Sequence, residues 1–205
     1  SRVHHDAFLT LLAQTNKTGE TDASFDYKNA TEDARIDFLT SLQGNVNPDS
    51  FEDETVHKAL GSIRAMKEIQ QTNGEAGSNR YIISNNQTAQ NIFEVFAMIR
   101  LSDWAAPSVD IVPLFETIPD LKIALEVMDK VYSNPVYREH LKNRGNKQTI
   151  MLGFSDGTKD GGYLMANWSI FKAKEDLTAI SRKHGIKVAF FDGRGGPPAR
   201  GGGNT

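Results

Sequence analysis

The sequence predicts an α/β protein with parallel strands, preceded by a helical segment. Up to residue 79, apolar residues recur at spacings of three or four, which is typical of amphipathic helices. From residue 80 onward, short apolar runs alternate with helical patterns, as in right-handed βαβ units. We therefore expect two regions, a helical segment over residues 1–79 and strand–helix units over residues 80–205.

The helical segment contains three apolar stripes, and each stripe predicts one helix. Polar connections over residues 16–26 and 44–53 separate the helices, and a third connection over residues 72–79 closes the region. We expect the stripes to pack against one another. They comprise Phe8, Leu9 and Leu12, then Ile36, Leu39 and Leu42, then Val56, Leu60, Ile63 and Met66.

Four strands and three helices are predicted in the second region. Thr117 begins one of these helices, because its hydroxyl precedes Pro119 and Asp120 follows three residues after the cap. Pro113 lacks an N–H to donate and predicts a bulge in its strand. The strands cover residues 81–83, 109–115, 149–154 and 187–191, and the helices cover residues 89–101, 119–132 and 162–183.

The last predicted helix has recognisable packing and stop signals. Leu164, Trp168 and Phe171 form an apolar stripe that we expect to be buried. Gly185 follows basic residues at the carboxyl end, where glycine can adopt the left-handed capping conformation. The helix is therefore expected to end at about residue 183.

Composition excludes several classes of function. The 205 residues include no cysteine, which excludes disulfides and zinc–thiolate sites and leaves only oxygen or imidazole ligands for a metal. A net charge of -3 argues against a nucleic-acid partner. No apolar run approaches the roughly 20 residues needed to cross a bilayer, and the first residues lack the features of a secretion signal. We expect no membrane association and a cytoplasmic location.

Polar residues follow each of the four predicted strands. Residues 84–86, Glu116, Asp156 with Lys159, and residues 193–196 come directly after successive strands. Because the carboxyl ends of parallel strands lie at one end of the sheet, we expect these groups to lie close together there.

Glu116 and Asp156 are candidate ligands of a divalent cation. Magnesium prefers carboxylate oxygen and commonly takes one or two protein carboxylates together with substrate oxygens. The alternative is that each acid caps the following helix or pairs with a cation. Lys159 could contact an anion or be solvated.

Residues 193–203 contain six glycines and two arginines. Glycine lets backbone N–H groups approach an anion closely, and guanidinium offers a planar fork for phosphate or carboxylate oxygens. The segment is therefore a candidate oxyanion cradle. Two alternatives remain open, a disordered tail and a noncatalytic anion- or RNA-binding module that uses the Arg-Gly segment.

Three blocks of the sequence resemble the active-site blocks of phosphoenolpyruvate carboxylases. They are residues 112–117 (VPLFET), residues 153–156 (GFSD) followed by Lys159 and Asp160, and residues 191–196 (FDGRGG) followed by Arg200. Their order and spacing also match. The resemblance covers residues 1–205 and is strongest from residue 109 onward.

The resemblance implies a fold, an activity and residue roles. The fold would be a partial TIM-type (β/α) barrel, and the activity would be formation of oxaloacetate from phosphoenolpyruvate and bicarbonate. Glu116 and Asp156 would hold Mg²⁺ or Mn²⁺, Arg194 and Arg200 would bind the phosphate and the migrating charge, and Lys159 would be a supporting cation. The substrate-binding glycines would be Gly193, Gly195, Gly196 and Gly201.

Two departures and one expectation about length accompany the resemblance. Asp192 stands where better-known family members carry histidine, and Pro197 and Pro198 replace small or hydroxylated residues, which stiffens the loop. Family members are several times longer and form homotetramers. We therefore expect the chain to be a fragment that lacks carboxylase activity in isolation.

Overall fold

The protein divides into two compact units. The structure is a computed structural model that describes residues 2–19, 21–22 and 24–193. The first unit comprises Ser1–Arg80 and Ala89–Val109, and the second comprises Tyr81–Thr88 and Asp110–Thr205. Every helix in the described ranges is too short or too polar to span a bilayer.

The first unit is helical. The three predicted helices are present, and two of them begin at side-chain caps: the Thr31 side chain accepts from the N–H of Ala34, and Asp53 accepts from the N–H groups of Thr55 and Val56. A fourth helix is buried on nearly every side. The helices are α1 (Arg2–Thr18), α2 (Glu32–Ser41), α3 (Glu54–Asn73) and α4 (Ala89–Leu101), with 3₁₀ turns at Pro48–Ser50 and Glu75–Gly77.

A buried polar cluster joins three parts of this helical unit. Glu94 on α4 is 0% exposed, and its Oε1 accepts hydrogen bonds from the Tyr27 hydroxyl at 2.8 Å and the Gln90 amide at 2.7 Å. His5 Nδ1 on α1 lies 2.7 Å from the same oxygen. Arg35 Nη1 on α2 lies 3.1 Å from Gln90 Oε1 and so extends the cluster. The cluster therefore fixes α1, α2 and α4 by directional bonds as well as by apolar packing.

The second unit is built on a four-stranded sheet, within the described residues, in the order β1-β2-β3-β4. β2 pairs parallel with β3, with Leu114 opposite Met151, and β3 pairs parallel with β4 along its whole length, from Lys147 opposite Lys187 to Gly153 opposite Gly193. The α/β prediction with parallel strands is confirmed. The strands are β1 (Arg80–Ile83), β2 (Asp110–Phe115), β3 (Lys147–Gly153) and β4 (Lys187–Gly193).

Three helices of this unit connect β2, β3 and β4, and one of them was not predicted. α5 (Ile118–Ser133) begins with the expected capping box between Thr117 and Asp120. α6 (Pro135–Asn143) starts immediately afterwards, because the Asn134 side chain caps it and Pro135 suits its first position. α7 (Ser155–Lys183) ends as expected before Gly185, which has a φ of +70°.

Pro113 lies inside β2 and is buried. The side chain of Gln148 on β3, 2% exposed, donates to the carbonyls of Ile111 at 2.7 Å and Thr149 at 2.8 Å. The Tyr137 hydroxyl donates to Gln148 Oε1 at 3.0 Å. A buried amide thus makes three hydrogen bonds beside the strand segment in which proline supplies no donor.

The packing prediction for α7 is wrong within the described residues. Leu164, Trp168 and Phe171 are 82%, 59% and 54% exposed. The opposite stripe of the helix is buried instead and includes Ala166, Ile170 and Leu177. The helix also starts seven residues earlier than predicted, because residues 155–161 form a short helical segment before a break at Gly162, whose φ is +78°.

Candidate functional site

The ends of β1, β2 and β3 bring polar groups to one edge of the sheet. The backbone N–H of Asn85, just after β1, donates to the carboxylate of Glu116, just after β2. Asp156, in the first turn after β3, is close enough for its charge to act on Glu116. The two candidate ligands are separated by forty positions in sequence but lie at the same edge, as parallel topology requires.

The Glu116 carboxylate is half-buried and only partly compensated. Burial raises its pKa above the ordinary value, and the negative charge of Asp156 raises it further. The N–H of Asn85 opposes these effects because it stabilises the ionised form. Glu116 does not cap a helix, since Thr117 caps α5. The Glu116 carboxylate thus has one backbone donor, Asn85, and the negative charge of Asp156 nearby.

Asp156 is paired with a lysine. Lys159 Nζ lies 2.8 Å from Asp156 Oδ1, one helical turn away, and the two side chains are 71% and 45% exposed. The pair matches the expected alternative in which an acid after a strand binds a nearby cation. Because exposed pairs contribute only about 0–1 kcal/mol, Asp156 remains open to exchange Lys159 for another cation.

Two glycines lie level with each other at neighbouring strand ends, and one of them lies next to Glu116. Gly153 and Gly193 end β3 and β4 and are opposite each other in register. A Cβ at Gly153 would lie 2.9 Å from the Glu116 Cα, and one at Gly193 would lie 3.2 Å from the Leu152 carbonyl oxygen. The absence of a side chain lets β3 lie close to the Glu116 backbone at Gly153 and lets β4 lie close to β3 at Gly193.

The donor set fits a hard divalent cation. Two carboxylates at one edge supply the oxygen ligands that magnesium prefers, and their mutual repulsion is relieved by a positive charge between them. Within the part of the chain that the structure describes, no group of three or more His, Asp or Glu side chains forms a cage. Glu116 and Asp156 thus suit an ion that also binds water and substrate oxygens.

A polar cavity of about 550 Å³ in the helical unit has a different character. Its cations are already neutralised by acids of the same wall: Arg64 lies 3.5 Å from Asp49 and 3.3 Å from Glu68, and Lys67 lies 3.1 Å from Asp103. The strand-end edge of the second unit is therefore the stronger candidate.

Comparison with known proteins identifies the family. A family model described as phosphoenolpyruvate carboxylase matches residues 1–205. The chain belongs to the phosphoenolpyruvate carboxylase family. It is 38% identical over 218 aligned positions to the phosphoenolpyruvate carboxylase of Nocardia farcinica, covering 100% of this chain and 23% of that protein. It is 41% identical over 157 positions to that of Corynebacterium diphtheriae, covering 77% of this chain and 17% of that protein.

The resemblance to phosphoenolpyruvate carboxylases assigns roles that extend beyond the described residues. Arg194, Arg200, Gly195, Gly196 and Gly201 lie outside the described ranges, as do Pro197 and Pro198. Gly193 is described and ends β4.

Asp192, which we expected to replace a histidine of better-known family members, lies in β4. Its Oδ1 lies 2.7 Å from Lys174 Nζ on α7, and the same ammonium group lies 5.8 Å from the centre of the Phe190 ring. The carboxylate therefore ties the end of β4 to α7 by an ion pair.

Sequence reasoning singled out Glu116, Asp156 and Lys159 but missed Asn85 and Gly153 as neighbours of Glu116. Asn85 was included only as part of a polar run after β1. The available signal was its residue type, because asparagine tolerates the left-handed backbone better than most residues, and Asn85 has a φ of +50°. Gly153 could have been noticed as a glycine at a strand end, where close backbone approach is common.

Proposed function

We propose that this chain carries part of the active site of a phosphoenolpyruvate carboxylase, which forms oxaloacetate and phosphate from phosphoenolpyruvate and bicarbonate. The observation that carries the proposal is the convergence of Glu116 and Asp156, from two different sequence blocks, at one edge of a parallel sheet. Family membership supports the reaction type.

The proposed reaction has two steps. A bicarbonate oxygen bonds to phosphorus while the bond from phosphorus to the enol oxygen breaks, giving carboxyphosphate and the enolate of pyruvate. Carboxyphosphate then releases carbon dioxide and phosphate, and the enolate carbon attacks carbon dioxide to give oxaloacetate. Both steps move negative charge, so the site must supply positioned positive charge.

Each proposed residue has one task in this scheme. Glu116 and Asp156 hold Mg²⁺ or Mn²⁺, which when bound supplies Lewis-acidic charge for phosphate and enolate oxygens. Lys159, next to Asp156, adds an exposed cation. The guanidinium groups of Arg194 and Arg200 bind phosphate, and the glycines of the same segment, Gly193, Gly195, Gly196 and Gly201, let backbone N–H groups approach it.

We further propose that the sheet is part of a TIM-type (β/α) barrel. β4 supports this, because it is an outermost strand of the sheet that the structure describes and could pair with a further strand. Phe191 on this strand is 56% exposed. The exposed aromatic face of α7 is also suited to being covered by further polypeptide. Since the chain spans 23% of the Nocardia protein and 17% of the Corynebacterium protein, we expect the isolated chain to be inactive. A cytoplasmic homotetramer remains the expectation for the longer protein.

Manganese binding tests the proposed site directly. Water-proton relaxation should detect Mn²⁺ binding to the 205-residue chain, and Glu116→Gln or Asp156→Asn should weaken it by at least about tenfold. Glu139→Gln is a matched control, because Glu139 pairs with Lys142 at 2.8 Å in the same one-turn geometry as Asp156 and Lys159. Equal binding by the wild type and both site variants would contradict the proposal. An Arg-Gly binding module would be unaffected by either site substitution.

A further inference from the structure

Glu116 is constrained by residues from both neighbouring strands, Asn85 after β1 and Gly153 at the end of β3. We propose that Asn85 and Gly153 are positioning residues that fix the Glu116 carboxylate for cation binding. This inference rests on the proposed function, since it assumes that Glu116 is a ligand. Neither residue is among the groups that contact the cation or the substrate in the reaction scheme.

Asn85 acts through its backbone. Its φ is +50°, in the left-handed region, and in this conformation its N–H points at the Glu116 carboxylate. The following residue anchors the turn, because the N–H of Asn86 donates to the Leu114 carbonyl at 3.0 Å and the Asn86 side chain is 0% exposed. The turn is thereby tied to β2 two residues before Glu116. A residue that resists the left-handed region would rotate this N–H away.

Gly153 acts through the side chain it lacks. A Cβ there would lie 2.9 Å from the Cα, 3.3 Å from the Cγ and 3.4 Å from the Cβ of Glu116. The first distance is shorter than non-bonded carbon atoms tolerate, and it involves backbone, which cannot rotate aside as a flexible side chain can. Alanine at this position must therefore displace Glu116 relative to Asp156.

The two constraints reach Glu116 from opposite neighbours in the sheet. Asn85 follows β1 and Gly153 ends β3, while Glu116 follows β2, the strand between them. A carboxylate that is already held in place loses little conformational entropy when it binds a cation. Residues that support metal ligands raise metal affinity in this way.

The test measures Mn²⁺ affinity by water-proton relaxation in variants of the 205-residue chain. Gly153→Ala and Asn85→Val should each weaken Mn²⁺ binding about tenfold, as loss of supporting contacts around metal ligands does. Asn85→Gly keeps both the N–H and the left-handed conformation and should bind within about twofold of the wild type. Asn85→Ala should fall between Gly and Val, because alanine disfavours this conformation less than a β-branched residue does.

Matched controls separate positioning from general damage. Gly61→Ala introduces a Cβ with no atom within 4 Å and should bind Mn²⁺ like the wild type, whereas Gly153→Ala should bind it more weakly. Thermal unfolding by circular dichroism confirms that each variant is folded. If Gly153→Ala or Asn85→Val fails to fold, the comparison of Asn85→Ala with Asn85→Gly decides.

The outcomes distinguish this inference from the proposed function. If Glu116→Gln binds Mn²⁺ as tightly as the wild type, the metal site itself is wrong. If Glu116→Gln loses binding while folded Gly153→Ala and the Asn85 series bind like the wild type, the site stands and the positioning inference is overturned. A second readout is the NMR amide signal of Asn85, which bound Mn²⁺ should broaden in the wild type.

Discussion

Two buried or half-buried glutamates in this chain are held in opposite ways. Glu94 in the helical unit is fully buried, and Tyr27, Gln90 and His5 converge on its Oε1. Glu116 at the edge of the sheet receives a backbone N–H from Asn85 and faces the like charge of Asp156. Three groups of its own unit contact one oxygen of the first carboxylate, while its Oε2 makes no hydrogen bond within the described residues. The second carboxylate has one backbone donor and a like charge nearby, so a cation from outside would neutralise it.

This difference separates a carboxylate that organises a core from one suited to binding a ligand. A buried charge persists in a core only where hydrogen bonds and partners offset its desolvation. A carboxylate that binds a cation must instead lack some of these partners in the free protein, so that the cation can supply them. The raised pKa of Glu116, caused first by burial and then by Asp156, is the expected sign of such an arrangement.

The largest expected effect comes from removing the donor-rich carboxylate. Glu94→Ala leaves Tyr27, Gln90 and His5 without their common acceptor and should lower the free energy of unfolding by ~3 kcal/mol. Urea denaturation followed by circular dichroism measures this change. Glu139→Ala, on the surface of the second unit, should change stability by less than ~0.5 kcal/mol. If both variants lowered the free energy of unfolding by a similar amount, Glu94 would not be a special stabilising residue of the helical unit.

The two regions should also respond to acid in opposite directions. Burial lowers the pKa of His4 to about 4 from its ordinary value of 6.5, so the folded helical unit favours neutral His4. Its contribution to stability is present above pH 6.5 and is lost as pH falls toward 4. The loss should reach ~1–2 kcal/mol after allowance for partial exposure. His4→Leu should flatten this part of the pH–stability curve, whereas the control His57→Gln should not.

Glu116 should show the reverse pH dependence. Its folded pKa is raised above the ordinary 4.5, so its stabilising contribution is present at lower pH and is lost as pH rises through the raised value. At neutral pH, Glu116→Gln should therefore stabilise the chain, by only ~0.5 kcal/mol because water screens the exposed part of the carboxyl. Denaturation curves at several pH values above 4.5 check this. Destabilisation by Glu116→Gln across that range would contradict a carboxylate that is only partly compensated.

The smallest expected change in stability concerns Lys159. Its pair with Asp156 is exposed, so Lys159→Ala should alter the free energy of unfolding by less than ~0.5 kcal/mol. Mn²⁺ should nevertheless bind more tightly to this variant, because a competing ammonium group is removed from Asp156. Relaxation titrations at low ionic strength show the gain best, and Lys142→Ala is the matched control. Weaker Mn²⁺ binding after loss of Lys159 would mean that the lysine supports the ion instead of competing with it.

Local patterns predicted much of this fold. The bounds of α4 and the capping box at Thr117 followed from short-range signals, which the chain satisfies with its own neighbouring groups. α6 was missed because its nine residues, which begin at Pro135, are fewer than the stretch over which helical periodicity is usually recognised. The exposed stripe at Leu164, Trp168 and Phe171 was misjudged because periodicity identifies an apolar face but not what covers it.

The candidate site could be predicted only as far as topology determines it. Because the strands are parallel, Glu116 and Asp156 lie at the same end of the sheet regardless of their side-chain conformations. The contributions of Asn85 and Gly153 depend on distances of closest approach between strands, which no single segment specifies. The His5–Glu94 contact, between residues 89 positions apart, depends likewise on how helices pack.

The break at Gly162 separates two mechanical tasks within one continuous stretch of chain. Residues 155–161 carry Asp156 and Lys159, while the helix beyond the break is held by Ala166, Ile170 and Leu177 in the apolar interior. A tilt of the short segment can be absorbed by rotation about the backbone of one residue that has no Cβ. A shift of the segment that carries Asp156 would then leave the longer helix undisturbed, because a single glycine separates the site-bearing turn from the packed part of α7.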